Sequence, residues 1–255
     1  MKKITSPDNE QIKKLHKLAA VKYRREYGQF LVENAVIIRD AYLAGHKFSQ
    51  LFLTQSNFDS ADKDMQKIFL DNDDKVFLIN EKINKKFSQL TTAPGIGAVY
   101  EIPNTKFVTS DKVIYLNNVG VPGNVGSIMR SALAFGFKDI VLDEKCVDAY
   151  NPKVIQAAKE SVLKLNILID EGREIFNSLR GKMKIISTSL DARSDLSALK
   201  SIDKFCLVFG NESHGVDEDV LAISDKKIKI SINKNIESLN VASTAAIIFY
   251  ELSKN

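Results

Sequence analysis

The stretch Asn117-Asn-Val-Gly-Val-Pro-Gly-Asn-Val-Gly-Ser-Ile-Met-Arg130 decides the reading of this chain. Ahead of it, Val113–Asn117 is a short apolar, β-branched run of the kind that forms a buried strand. Behind it, Gly126–Phe135 carries apolar residues at helical spacing. Gly120, Gly123 and Gly126 make a turn in which backbone can come close to a ligand, and the helix N-terminus that follows favours negative charge. A dinucleotide loop is one reading, but the glycines are not spaced as GxGxxG. Arg130 stands one helical turn beyond Gly126, where it can face the loop; a surface ion pair is its ordinary alternative.

Further strand-like runs surround this unit: Asp139–Leu142, Leu165–Ile169, Lys184–Ser187, Phe205–Phe209 and Lys227–Ile230. Their apolar character suits a parallel sheet covered on both faces, with helices at Gly126–Phe135, Pro152–Val162 and about Val241–Leu252 between and after them. Upstream, the polar stretch 103–111 breaks the pattern and predicts a linker. In front of it lies a small α/β domain. Its predicted helices are Glu10–Glu26, Val32–Ala44, Ala61–Leu70 and Glu81–Phe87, and its strands Phe48–Thr54, Lys75–Ile79 and Gly97–Ile102. Gly28 and Gly45 end the first two helices. The expected division is therefore a domain over 1–102, a linker over 103–111 and a second domain over 112–255.

Two more loops draw attention. Phe205–Phe209 runs into Gly210-Asn-Glu-Ser-His-Gly215, which places Glu212 at the carboxyl end of a buried strand, where ligands bind in open α/β sheets. The alternative for Glu212 is a cap on the next helix, and His214, although tempting as a base, is more simply a loop histidine. In Ile230–Val241, Ser238 and Asn240 open the last helix, and each taken singly is an N-cap.

Composition sets the bounds. Hydrophobic residues make up 44% and charged residues 27% of the 255, the balance of a soluble globular protein. No run approaches the ~20 apolar residues of a membrane span, and the first residues lack the apolar core of a secretory signal. Cys146 and Cys206 form no CxxC pair or disulfide framework. A cytoplasmic protein without a metal centre is expected. The net charge of +4 is concentrated: residues 1–30 hold eight Lys/Arg against three Asp/Glu. Lys13, Lys14, Lys17, Lys22, Arg24 and Arg25 form a basic patch that suits a polyphosphate backbone, or else a solvated helix face.

Taken together, the three loops resemble the SpoU (TrmH-type) family of SPOUT RNA methyltransferases. The matching motifs are Pro122–Arg130 (Pro-Gly-Asn-x-Gly-x-Ile-x-Arg), Gly210–Gly215 (Gly-x-Glu-x-x-Gly) and Ser238–Val241 (Ser-Leu-Asn-Val), in the family's order. Residues 1–100, with Lys22-x-Arg24 and Phe30-Leu-Val-Glu33, are similar to the family's ribosomal-protein-like substrate-binding domain. Four features depart from the pattern: Val121 where an acidic residue is common, Ser213 and Asn34 where glycine is, and Ala242-Ser243-Thr244 in the last helix.

The resemblance implies an α/β fold: a SPOUT-type, trefoil-knotted parallel-sheet domain preceded by the small α/β RNA-binding domain. It implies a homodimer that transfers methyl from S-adenosylmethionine to a ribose 2′-hydroxyl of ribosomal or transfer RNA, the alternative being a non-catalytic RNA binder of the same fold. By resemblance the catalytic set is Asn124, Arg130, Glu212, Ser238 and Asn240. Arg130 would contact the hydroxyl and a phosphate, Asn124 and Glu212 would orient it and the ribose, and Ser238 and Asn240 would fix the loops. Thr188, Gly210, Ile230 and Leu239 would line the cofactor pocket.

Overall fold

β-Branched and aromatic runs pair into two sheets, each closed over by amphipathic helices. The structure, a computed structural model, describes residues 1–105, 107–199, 202–233 and 235–254. Lys106 of the expected linker and Lys234 of the third loop lie outside the described residues. The chain forms two compact units: Met1–Asn104 with Tyr150–Gln156, and Thr105–Ala149 with Ala157–Asn255.

The first unit runs β1 (Lys2–Lys3), α1 (Glu10–Lys17), α2 (Val21–Tyr27), β2 (Gln29–Val32), α3 (Ala35–Leu43), β3 (Gln50–Thr54), α4 (Gln55–Asp59), α5 (Lys63–Asp71), β4 (Val76–Ile79), α6 (Glu81–Phe87) and β5 (Ile96–Glu101). Its sheet has the order β1-β4-β3-β5-β2. β1, β4 and β3 are parallel, while β5 runs antiparallel to β3 and β2. Ile12, Leu15 and Leu18 pack with Ile83, Phe87 and the sheet residues Phe52 and Phe77.

Two sequence expectations change here. The single helix over Glu10–Glu26 is broken into α1 and α2, because Arg24 folds back onto the break. Its Nη1 donates to the Leu18 and Ala19 carbonyls at 2.7 and 2.8 Å, satisfying backbone acceptors that the end of α1 would leave open. Arg24 is 3% exposed, so it is a structural arginine and not the RNA contact expected of it. Likewise the helix expected from Val32 starts at Ala35. Phe30–Val32 instead pair with β5, and Asn34 caps α3 by accepting from Val36 and Ile37 N–H. The asparagine that departs from the family pattern is thus an N-cap.

The second unit runs β6 (Lys112–Leu116), α7 (Pro122–Ala134), β7 (Asp139–Asp143), α9 (Ser161–Lys164), β8 (Asn166–Asp170), α10 (Glu174–Leu179), β9 (Lys184–Thr188), β10 (Phe205–Phe209), α11 (Glu218–Ala222), β11 (Lys226–Ile228) and α12 (Val241–Ser253), while α8 (Pro152–Ala158), between β7 and α9 in the chain, belongs to the first unit as far as Gln156. Its six strands are all parallel, in the order β11-β9-β10-β6-β7-β8. Alternate residues serve opposite faces. Val113, Tyr115, Cys206 and Val208 pack with Phe176, Leu179 and Val220 of α10 and α11. On the other face Phe209 meets Phe249 of α12, ring centroids 5.6 Å apart, and α12 packs along α7. Ala245, Ile248 and Phe249 are fully buried in this unit's own core. The apolar stripe of the last helix is therefore spent internally, and Ile247 and Tyr250 are what it leaves exposed.

Thr109 and Ser110, expected in the linker, are fastened to the sheet. The buried Asp139 accepts from Thr109 N–H, from both hydroxyls and from Asn166. Among the described residues no helix is long and apolar enough to cross a membrane.

Candidate active site

Strand order places the site. From β6 the chain moves outward through β7 and β8, then returns on the other side of β6 through β9, β10 and β11. β6 and β10 are therefore neighbours whose following helices, α7 and α11, cover opposite faces. Their loops part at the carboxyl ends of the strands, which is where an open parallel sheet makes its binding crevice.

Both loops are held from below by buried polar groups. Asn117, fully buried, donates through Nδ2 to Asp143 Oδ2 at 2.8 Å and to Asp217 Oδ2 at 3.2 Å, and its Oδ1 accepts from Asp217 N–H at 2.7 Å. Asp143, at the end of β7, also accepts from the N–H groups of Asn118, Lys145 and Cys146. Asn118 turns the chain away from β6 with φ at 58°, a left-handed conformation that asparagine tolerates, and its carbonyl accepts from Asn211 Nδ2 at 2.9 Å. The ends of β6, β7 and β10 are thus joined in one network. Burial pushes the Asp217 carboxyl upward, but the hydrogen bond from Asn117 and the charges of Lys145 and Arg173 outweigh it and hold the group below its ordinary range. Lys145 Nζ stands 3.1 Å and Arg173 Nη2 2.7 Å from it.

The second loop closes on itself. Asn211 and Gly215 exchange backbone hydrogen bonds of 2.8 and 2.9 Å. A Cβ on Gly210 would stand 2.1 Å from the Gly215 carbonyl carbon and from the Val216 nitrogen, so only glycine lets this loop fold so tightly. A bulkier residue at 210 would therefore collide with the loop's own backbone.

The first loop is shorter than the sequence suggests. The helix expected from Gly126 begins at Pro122, whose missing N–H and fixed φ suit the first helical position. Asn124 accordingly sits in the first turn of α7. Its Nδ2 donates to Glu212 Oε1 at 2.6 Å, and its Oδ1 accepts from Asn240 Nδ2 at 2.9 Å. Asn240 also caps α12, accepting from Ala242 and Ser243 N–H. The segment of Asn124 and two others, 88 and 116 positions away, are thereby tied by one line of side chains, Asn240 to Asn124 to Glu212.

Two members of the expected catalytic set stand outside that line. Arg130 is exposed on α7 and forms no ion pair or hydrogen bond with the described residues, so the surface ion pair offered as its alternative is absent. Ser238 is exposed and, among the described residues, makes no hydrogen bond either. Glu212 bonds to Asn124 and does not cap α11, whose N-cap residue is Asp217. His214 leans on Asn211 Oδ1 in the loop.

Thr188, Gly210 and Ile230 follow one another along the carboxyl ends of β9, β10 and β11. Thr188 spends its hydroxyl on the Val208 carbonyl at 3.1 Å. Ile230 lines a groove of about 340 Å³ with Leu196, Leu199, Lys229, Ile247 and Leu252, within the range of small-molecule sites. Leu239 is half-buried before α12. Asp195, Ser197, Ser231 and Glu251 complete the lining of the groove; of the four expected cofactor residues it takes in Ile230 but not Thr188, Gly210 or Leu239, and Asn124, Arg130 and Glu212 do not line it either. Asn117, Asp143 and Asp217 were not anticipated. Their only signal in the sequence is a polar residue at the carboxyl end of a strand or just after a glycine loop.

A family model described as the SpoU rRNA Methylase family matches residues 111–250, and one described as an MRM3-like substrate binding domain matches residues 9–98. The chain is 27% identical over 253 residues to the 23S rRNA (guanosine(2553)-2′-O)-methyltransferase RlmP of Bacillus subtilis (strain 168), covering 99% of both chains. It is 23% identical to the mitochondrial rRNA methyltransferase 3 of Homo sapiens, over 90% of this chain and 68% of that one. Its fold matches a crystal structure of an AdoMet-bound rRNA methyltransferase from Sinorhizobium meliloti with a TM-score of 0.84 at 21% identity, covering 99% and 97% of the two chains. That of an RNA 2′-O ribose methyltransferase matches with a TM-score of 0.79 at 24% identity, covering 99% and 98%. With its three loops tied at the switch point and a family model matched over more than half its length, the chain belongs to the SpoU rRNA methylase family.

Proposed function

We propose that this protein transfers a methyl group from S-adenosylmethionine to a ribose 2′-hydroxyl of RNA, with ribosomal RNA as the substrate ahead of transfer RNA. The observation that carries this reading is the line Asn240–Asn124–Glu212, which joins the three motifs while Arg130 stays exposed and uncommitted. A ribose hydroxyl is a weak nucleophile that must be positioned and relieved of its proton. Bound S-adenosylmethionine supplies the electrophilic methyl on its sulfonium. Asn124 fixes one oxygen of Glu212, which leaves the other to orient the ribose. Arg130 stabilises the developing alkoxide by charge, and the hydroxyl proton passes to solvent water. Asn240 couples the start of α12 to this pair, and Ser238 completes the third loop. Thr188, Gly210, Ile230 and Leu239 hold the cofactor at the ends of β9, β10 and β11.

The first domain, residues 1–102, binds RNA through Lys13, Lys14, Lys17, Lys22 and Arg25, and the second, 112–255, carries the chemistry. The strand order of the second unit supports a knotted C-terminal segment of the SPOUT type. A homodimer is favoured by Val121, Ile247 and Tyr250, which stay exposed at the α7–α12 pair. Action on ribosomal RNA suits a cytoplasmic protein. Incubation of the full chain with tritiated S-adenosylmethionine and unmodified ribosomal RNA, followed by mass mapping of 2′-O-methyl positions, tests the reading. Incorporation at a defined ribose is expected; RNA binding without incorporation would instead mean a non-catalytic binder.

A further inference from the structure

Around the corner between α1 and α2, three lysines have found tyrosine rings instead of carboxylates. Tyr23 and Tyr27, four residues apart on one face of α2, stack with centroids 5.8 Å apart and planes at 29°. Lys14 Nζ stands 4.9 Å from the centre of the Tyr27 ring, and Lys17 and Lys22 stand 5.3 and 5.8 Å from that of Tyr23. Among the described residues none of these lysines makes an ion pair, and neither phenol makes a hydrogen bond. Neighbouring Lys13, by contrast, is paired with Glu10 at 2.8 Å. The corner is fixed from beneath by buried Arg24, and Tyr27 packs against the unit's core.

A ring face attracts an ammonium without neutralising it, because the attraction is to a quadrupole and not to a charge. The three ammoniums therefore keep their full charge and their outward N–H groups, yet their flexible stems are already held. Ordering such stems is a large part of what a lysine costs on binding phosphate. Two unpaired phenol donors border the same patch.

We propose that Lys14, Lys17, Lys22, Tyr23 and Tyr27 form one site for the phosphate backbone of RNA, in which the tyrosine faces hold the ammoniums in place before RNA arrives. This rests on the RNA methyltransferase reading and adds to it the two tyrosines, which a count of charges does not find. It also separates roles within the basic segment: the lysines touch phosphate, the tyrosines position the lysines, and Arg24 holds the corner.

The test measures binding of the full chain to a folded ribosomal RNA transcript across a salt series. Tyr23→Leu/Tyr27→Leu keeps every charge and is expected to weaken binding roughly tenfold, about twofold for each of three side chains that must now be ordered, with little change in salt slope. Tyr23→Phe/Tyr27→Phe retains the ring faces and should stay within about twofold of the wild type. Lys14→Gln/Lys17→Gln/Lys22→Gln, confined to exposed side chains and so certain to leave the core alone, should lower the slope by about 2. Thermal unfolding of each variant checks that the corner is intact. Wild-type affinity in the leucine variant, an unchanged slope in the lysine variant, or displacement of RNA by polyglutamate would overturn the site while leaving methyl transfer untouched. If the wild type itself binds no RNA, the methyltransferase reading falls together with the site.

Discussion

Arg130 offers the sharpest test, because the structure separates its effect on rate from its effect on stability. The side chain is exposed on α7 and makes no hydrogen bond or ion pair with the described residues. Its truncation to alanine removes no packed group and places a better helix former on a helix. The expected change in stability is therefore within about 0.5 kcal/mol, a shift in Tm of no more than roughly 2 °C for a chain of this size. If the guanidinium stabilises an alkoxide that exists only in the transition state, the rate should behave otherwise. Loss of one such stabiliser costs on the order of 10²–10³ in rate, or about 2.7–4 kcal/mol. Arg130→Ala should thus keep wild-type Tm and S-adenosylmethionine affinity while losing at least that factor in single-turnover transfer from tritiated cofactor. Arg130→Lys should recover little on the proposed mechanism, because a point charge does not reproduce a planar fork able to meet hydroxyl and phosphate together. Near-normal rates in both variants would refute the mechanism. A large fall in Tm would refute the claim that the side chain is structurally idle.

Other expectations follow from the loops. Gly210→Ala would bring a Cβ to 2.1 Å from backbone atoms of Gly215 and Val216, so the Asn211–Gly215 pair must open; a loss of about 1–3 kcal/mol, seen as a lower Tm with weakened cofactor binding in calorimetry, is expected, and wild-type values for both would contradict it. Asn124→Ala unties Glu212 and Asn240 together and should slow methyl transfer roughly tenfold or more while costing less than about 3 kcal/mol in stability; an unchanged rate would mean the line of side chains has no part in the chemistry. Asp217 titrates below its ordinary value of 3.8 in the folded protein, so its contribution to stability is complete above 3.8 and is lost as pH falls through the lower folded value. Urea unfolding of Asp217→Asn should accordingly lose part of the wild type's dependence on pH in that acidic window, and identical curves would place the effect elsewhere.

Much of the fold was legible because it is written in local chemistry. Runs such as Val113–Leu116 and Phe205–Phe209 are apolar throughout and mostly β-branched or aromatic, which suits a sheet covered on both faces. The glycine loops were legible for a similar reason: Gly210 is required by a close approach of backbone, and Gly28, at φ 61°, by a left-handed turn. Boundaries were less so. Pro122–Gly123 reads as a turn and yet starts a helix, since proline is tolerated in the first helical turn as readily as in a loop. Phe30–Val32 carries an apolar pattern too short to tell strand from helix until β5 supplies its partner.

The sequence by itself determined that three motifs exist, in what order, and which residue types they hold. It also determined that positive charge gathers before residue 30. Only the tertiary structure decided which of those residues meet. Asn240 read alone is an N-cap, and it is one; its second bond, to Asn124, spans 116 positions and depends on strand order. Arg24 and Lys22 are equally basic in the sequence, but burial against the end of α1 makes the first a fastening for the backbone and leaves the second to a tyrosine face and the solvent. Asn117, Asp143 and Asp217 carry no motif, yet the meeting of three strand ends makes them the base of the site. Local propensity is a property of neighbours in the chain, whereas a polar network is a property of neighbours in space, and a parallel sheet brings together residues that the sequence keeps far apart.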